Sequence, residues 1–146
     1  MVVPEAASPM DEPWIRQLLT ISGLPHEDIT PEHLRHFWAI SEKGQMIGVV
    51  GLEIFGRLAL LRSLAVDLRF RKRGLGSQLT KKAEEYAASL KIERLYLLTL
   101  TAESFFLKQG YQKIERNSAS AEIQQTAEFQ GLCPASSVCM VRQIKS

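Results

Sequence analysis

Apolar positions along the chain change their period several times, and each change marks an element. Trp14, Ile15, Leu18, Leu19 and Ser22 recur at helical spacing. Ahead of them, Ser8-Pro9-Met10-Asp11 has the form of a capping box with proline at the first helical position, and Pro13 offers an equally good start. Gly23-Leu24-Pro25 ends that helix, and Thr30-Pro31-Glu32 caps a second, short one. Three extended runs follow: His36 to Glu42, Met46 to Phe55 and Leu58 to Val66. The turns Lys43-Gly44-Gln45 and Gly56-Arg57 separate them, which predicts an antiparallel meander.

After Val66 the chain turns polar and basic, from Asp67 to Arg73, and then reaches Gly74-Leu75-Gly76. Leu75, Leu79, Ala83, Tyr86 and Leu90 form a stripe at spacings of 4, 4, 3 and 4, an amphipathic helix. Arg94 to Leu100 is a strongly apolar strand. Thr101 caps a short helix from Ala102 to Gln109, with Gly110 at its C′ position. Tyr111 to Arg116 reads as a strand, Ala121 to Gln125 as a helical stretch and Ser137 to Ile144 as the last strand. The expected class is α/β (α+β), with a mixed, mostly antiparallel sheet flanked by helices. The long helix after residue 74 is a crossover, so the strands it joins should run parallel.

Composition narrows the classes. The 146 residues suffice for one domain, 1–146, around one core. With 45% hydrophobic and 23% charged residues, the balance is that of a globular chain rather than a disordered one. A net charge of +2 gives no reason to expect a nucleic-acid partner. No run approaches the ~20 apolar residues that span a bilayer. Met1 to Pro9 has no basic region followed by an apolar one, so a cytoplasmic location without a membrane partner is expected. If the segment from Cys133 to Cys139 is a strand, its six steps at ~3.3 Å separate the thiols by ~20 Å. A disulfide needs Cα atoms within ~7 Å, so two free thiols in a reducing compartment are expected. His26, His33 and His36 lack metal-ligand spacing and read as surface or cap residues, and no metal is expected.

The chemistry concentrates at Arg71-Lys72-Arg73-Gly74-Leu75-Gly76, between a strand and a helix start. The first amides of a helix have no partner inside it, and the macrodipole adds partial positive charge. Gly74 and Gly76 permit positive φ and close approach to the backbone, and three basic side chains add formal charge. A pyrophosphate is the expected guest. The dinucleotide fingerprint fails because position 79 is leucine, and the P-loop pattern fails as well.

The spacing Arg71-x-x-Gly74-x-Gly76 resembles the acetyl-CoA loop of the GNAT N-acetyltransferase superfamily. Leu64-Ala65-Val66-Asp67 before it resembles the family's L-x-V-x-P, with Leu68 where proline is commonest. Phe105-Phe106-Leu107-Lys108-Gln109-Gly110-Tyr111 resembles its F-Y-x-x-x-G-F element. The resemblance implies the GNAT acyl-CoA N-acyltransferase fold with acetyl-CoA as cosubstrate. The pantetheine arm would pair with Leu64, Ala65 and Val66, and the diphosphate would sit on the amides from Arg71 through Lys72, Arg73, Gly74, Leu75 and Gly76 to Ser77. Phe105 and Phe106 would border the acetyl and thiol end. The family often dimerises, and the C-terminal strand is a place for a homodimer contact.

The same resemblance frames the acid and base. Phe106 stands where many members carry a sulfur-protonating tyrosine, which leaves water, Tyr111 or no specific group for that step. Arg62 and Leu60 occupy the positions from which some members present a base on the third strand. Glu53, amid the apolar Val49-Val50-Gly51-Leu52 and Ile54-Phe55, is the best remaining carboxylate, with partial burial to raise its pKa; a water chain is the alternative. Arg62 suits a carboxylate or phosphonate and is assigned as the anchor of an acidic acceptor.

Further stretches resemble the ArsN-type acetyltransferases associated with arsenic-resistance operons. They include Val49-Val50-Gly51-Leu52-Glu53, Leu60-Leu61-Arg62-Ser63-Leu64-Ala65-Val66 and Leu95-Tyr96-Leu97-Leu98-Thr99. Thr101-Ala102-Glu103, Thr126-Ala127-Glu128-Phe129 and Leu132-Cys133-Pro134-Ala135-Ser136 fit too. The pattern is similar, more loosely, to the acetyltransferase domain of N-acetylglutamate synthases. Both imply a small-molecule acceptor: an α-amino acid with an acidic, arsenical or phosphinyl group. The alternatives are a protein or peptide N-acetyltransferase and a CoA-binding module without turnover.

Overall fold

Seven strands in the order β1-β2-β3-β4-β5-β7-β6 form one mixed sheet in the computed structural model, which describes residues 2–144. They are β1 (Glu5–Ala6), β2 (Phe37–Glu42), β3 (Gln45–Phe55), β4 (Leu58–Val66), β5 (Arg94–Thr99), β6 (Gln112–Ile114) and β7 (Val138–Gln143). The α-helices are α1 (Glu12–Ile21), α2 (Pro31–Leu34), α3 (Leu75–Ser89), α4 (Glu103–Lys108) and α5 (Ala121–Gln124). The meander and the crossover are as expected: β2 and β3 are antiparallel, and β4 runs parallel to β5. β1, a pair of residues antiparallel to β2, has no periodic signal and follows from pairing alone. No helix among the described residues is long and apolar enough to cross a membrane.

Two compact units divide the chain. The first comprises Met1–Glu53 and Leu61–Tyr86. Its apolar cluster takes Ile15, Leu18 and Leu19 from α1, Leu34 from α2 and Phe37, Val49 and Ala65 from the strands. Each such large aliphatic side chain contributes about 1.5–3 kcal/mol on burial. Gly51 leaves room for Phe37: a Cβ there would lie 2.3–2.6 Å from three atoms of the Phe37 ring. α3 buries Leu75, Leu79, Ala83 and Ala87, whereas Leu90 lies past the helix end and is exposed. Trp14, placed by periodicity in the α1 stripe, is 60% exposed, because the buried face is centred on Ile15, Leu18 and Leu19.

The second unit comprises Ile54–Leu60 and Ala87–Ser146. Here β5 is paired on both edges, by β4 over Leu58–Leu60 and by β7 over its whole length, which accounts for its unbroken apolar run. Leu58, Leu60, Tyr96, Ile123, Phe129 and Cys139 form its cluster. α4 begins at Glu103 with Ala102 as its N-cap residue and no side-chain cap, so the cap expected of Thr101 is not formed; the Ala102 N–H itself donates to the Thr99 hydroxyl at 3.0 Å. Its end is a Schellman turn: Tyr111 N–H donates to Phe106 O and Gly110 N–H to Leu107 O. The segment from Cys133 to Cys139 is a turn entering β7, not one strand, and both cysteines are free and buried.

Candidate active site

The basic loop lies in the first unit, between β4 and α3. Asp67 caps the short turn after β4 by accepting from Arg69 N–H at 2.9 Å. Phe70 is flanked by Arg69 and Arg73, whose guanidinium carbons lie 5.7 and 4.8 Å from its ring centre. Arg71 folds back, Nε donating to Val66 O at 3.3 Å, and Arg73 reaches Glu42 at 3.3 Å. Lys72 and Gly74 both sit in the left-handed region, with φ of 67° and 77°. A built Cβ on Gly74 would meet nothing within 4 Å, so the space over its backbone is open. The first bond of α3 runs from Gln78 N–H to Gly74 O at 3.1 Å, which leaves the amides of Leu75 and Gly76 ahead of the helical ladder. Gly76 is the second residue of α3, so the strained backbone falls on Lys72 and Gly74 instead. Left-handed residues on either side of Arg73 bend the chain sharply just before the helix start. The residues present fit a diphosphate: exposed cations, an open backbone and the start of a 15-residue helix.

Upstream of the loop, Ala65 is packed into the first unit's core and Leu64 and Val66 are half-buried. In the second unit, Phe106 is buried edge-on against Phe105 and Tyr111, with ring centres 5.1 and 5.4 Å away.

A second polar centre in the first unit joins two residues singled out from the sequence, Glu53 and Arg62, with two that were not, Asp28 and His33. The Arg62 side chain has no exposed surface. It donates from Nη1 to Asp28 Oδ2 (2.5 Å) and Glu53 Oε2 (2.8 Å), from Nη2 to Asp28 Oδ1 (2.7 Å) and from Nε to Ser63 Oγ (3.0 Å). Ser63 has φ 60° inside β4, a left-handed residue that interrupts the strand's alternation next to Arg62. Glu53 retains 10% of its side-chain exposure and His33 27%. His33 Nε2 lies 3.8 Å from Glu53 Oε1.

The surrounding elements explain the placement. Arg16 of α1 donates to the carbonyls of His26 (2.7 Å) and Ile29 (2.6 Å), on either side of Asp28. His33 closes the cap of α2: its Nδ1 accepts from Thr30 N–H at 3.1 Å while its own N–H donates to Thr30 Oγ1. Burial pushes the Asp28 carboxyl up, but the hydrogen bonds and charge of Arg62, with the charge of His33, outweigh it and hold the group below its ordinary range. Asp28, His33 and Glu53 offer ligand atoms within 4.8 Å of one another, a spacing that fits a cation. Arg62 already supplies positive charge to both carboxylates.

Residues 3–111 match the acetyltransferase (GNAT) family. The chain belongs to that family. This GNAT chain is 38% identical over 86 residues to an uncharacterized N-acetyltransferase of Chlorobaculum tepidum, covering 58% of this chain and 55% of the relative. It is 28% identical over 130 residues to the amino-acid acetyltransferase of Mycobacterium tuberculosis, covering 83% and 74%. The N-acetylglutamate synthase of Neisseria gonorrhoeae, solved with coenzyme A and N-acetyl-glutamate, shares the GNAT fold at a TM-score of 0.86 and 21% identity, over 100% of this chain and 36% of the synthase. The chain thus spans about half the length of the Chlorobaculum relative and about a third of the synthase.

Proposed function

We propose that the chain is an acetyl-CoA-dependent N-acetyltransferase acting on the amine of a small amino-acid-like acceptor. The observation that carries this reading is the loop between β4 and α3, where left-handed Lys72 and Gly74 and the exposed Arg71, Lys72 and Arg73 precede a 15-residue helix. In this reading the diphosphate of the cosubstrate takes the amides from Arg71 to Ser77. Its pantetheine follows Leu64, Ala65 and Val66. Family membership supports it, as do the relative named for amino-acid acetylation and a shared fold with a synthase solved with coenzyme A and N-acetyl-glutamate.

The acceptor enters as an ammonium and must lose a proton before its nitrogen attacks the thioester carbonyl. Glu53 takes that proton. The C–N bond forms, the C–S bond breaks, and the products are an N-acetylated acceptor and the CoA thiol. Two protons leave the ammonium in all, one returning to the departing sulfur and one passing to solvent. Phe106 has no hydroxyl to give, which leaves water, Tyr111 or no specific group to protonate the thiolate.

A glutamate-like acceptor fits the amino-acid relatives, and an arsenical or phosphinic amino acid fits the ArsN-type segments. Thiol release from acetyl-CoA with glutamate, glutamine, phosphinic and arsenical amino acids and peptides tests the reading. Release with a small amino acid is expected. Release only with peptides would make the chain a peptide acetyltransferase, and tight CoA binding with no release would make it a binding module.

A further inference from the structure

We propose that Arg62, Asp28 and His33 are positioning residues for Glu53, and that together they leave Glu53 Oε1 as the one oxygen presented to the acceptor amine. This rests on the acetyltransferase reading above.

Arg62 Nη1 holds Glu53 Oε2 at 2.8 Å, while Oε1 has no hydrogen bond among the described residues. Arg62 is itself fixed on its other side by both oxygens of Asp28. A bidentate pair of this kind aligns the guanidinium plane as well as its position. The carbonyls flanking Asp28 are clamped by Arg16, so the chain of support runs from α1 through the 26–29 loop to Asp28, Arg62 and Glu53. With its side chain fully buried, Arg62 has no surface to offer an acceptor's acidic group. Its action on the reaction passes through Glu53.

His33 completes the shell. Its Nδ1 accepts the Thr30 N–H, so in the neutral ring the proton sits on Nε2, the atom 3.8 Å from Glu53 Oε1. Neutral His33 therefore faces Oε1 as a donor and not as a second base. At 27% exposure it is also the most open member of the cluster.

The test compares acidic and neutral acceptors. Arg62→Lys and Asp28→Asn should lower kcat by up to about 10²-fold, the scale of a misplaced catalytic group, with KM for acetyl-CoA unchanged. The loss should be the same for glutamate and glutamine. His33→Gln, which keeps a donor near the Nε2 position, should retain far more activity than His33→Phe. An Arg62→Lys or Asp28→Asn enzyme that loses glutamate activity through KM but keeps glutamine activity would overturn the proposal and restore Arg62 as an anchor. Equal activity of His33→Gln and His33→Phe would remove His33 from it. If Arg62→Lys does not fold, Asp28→Asn decides alone. Failure of the wild-type chain to acetylate any amine would instead sink the acetyltransferase reading itself.

Discussion

Arg62 shows how much depends on a single donor array when a charge is fully enclosed. Removing it leaves Asp28 and Glu53 facing each other with their partner gone. Breaking such a pair from one side costs about 3–5 kcal/mol, so Arg62→Ala should lower the free energy of unfolding by that amount, read as a fall in the urea midpoint at unchanged m, far more than loss of the exposed Arg57–Glu93 pair. Asp28 makes the fold sensitive to acid with a definite sign. A carboxyl held below its ordinary value of 3.8 stabilises the fold above that pH and loses its contribution as pH falls through the lower folded value. Urea midpoints measured down the acid range should therefore decline below that point, and Asp28→Asn should lower the plateau and flatten the decline. Cys139 behaves oppositely in reactivity: burial pushes its thiol up to about 11 against the weaker pull of Arg116. At pH 8 it should be alkylated slowly by iodoacetamide until urea exposes it.

At the scale of elements, the loop before α3 is the sharpest case. Its composition suggests an anion site, and of its two glycines Gly74 takes the left-handed conformation, with φ of 77°. Gly74→Ala must hold an alanine in the left-handed region, at roughly 1–2 kcal/mol. It should raise KM for acetyl-CoA more than it changes kcat, and an unchanged KM would remove the loop from cosubstrate binding. Lys72 was less legible, because nothing in its residue type demands a left-handed conformation. The end of α4 was legible in Gly110, since the Schellman turn needs that residue type, but its start was not. Thr99, two residues before the expected cap, is the side chain that meets Ala102 N–H. A cap depends on a hydroxyl's direction, which spacing does not supply.

At the scale of the whole molecule, periodicity located the meander, the crossover and the parallel β4–β5 pair, because strand and helix periods are local and tight turns leave few topologies. Residue 111, where the family match ends, precedes β6 and β7. Saturating acetyl-CoA should stabilise the folded chain by about 2.7 kcal/mol at a hundred times Kd, read as a rise in Tm. The basic loop makes that shift sensitive to salt, and absence of any shift would count against the proposed cosubstrate.

What the chain determined by itself is therefore the set of elements and the basic, glycine-bearing turn before α3, since both rest on residue types within a few positions of one another. Glu53 could be singled out as a carboxylate in an apolar strand, and Arg62 by the family resemblance, which places it where members present side chains to the acceptor. Their joint arrangement could not. Asp28 lies 34 positions from Arg62 and Glu53 lies 9 away. No local period links a loop aspartate to a buried strand arginine. Only the tertiary structure, through the Arg16 clamp on the 26–29 loop and the left-handed Ser63 beside Arg62, decided that the guanidinium turns inward to two carboxylates. An enclosed charge must find its counter-charge wherever the fold brings one, and that requirement acts through space rather than along the sequence.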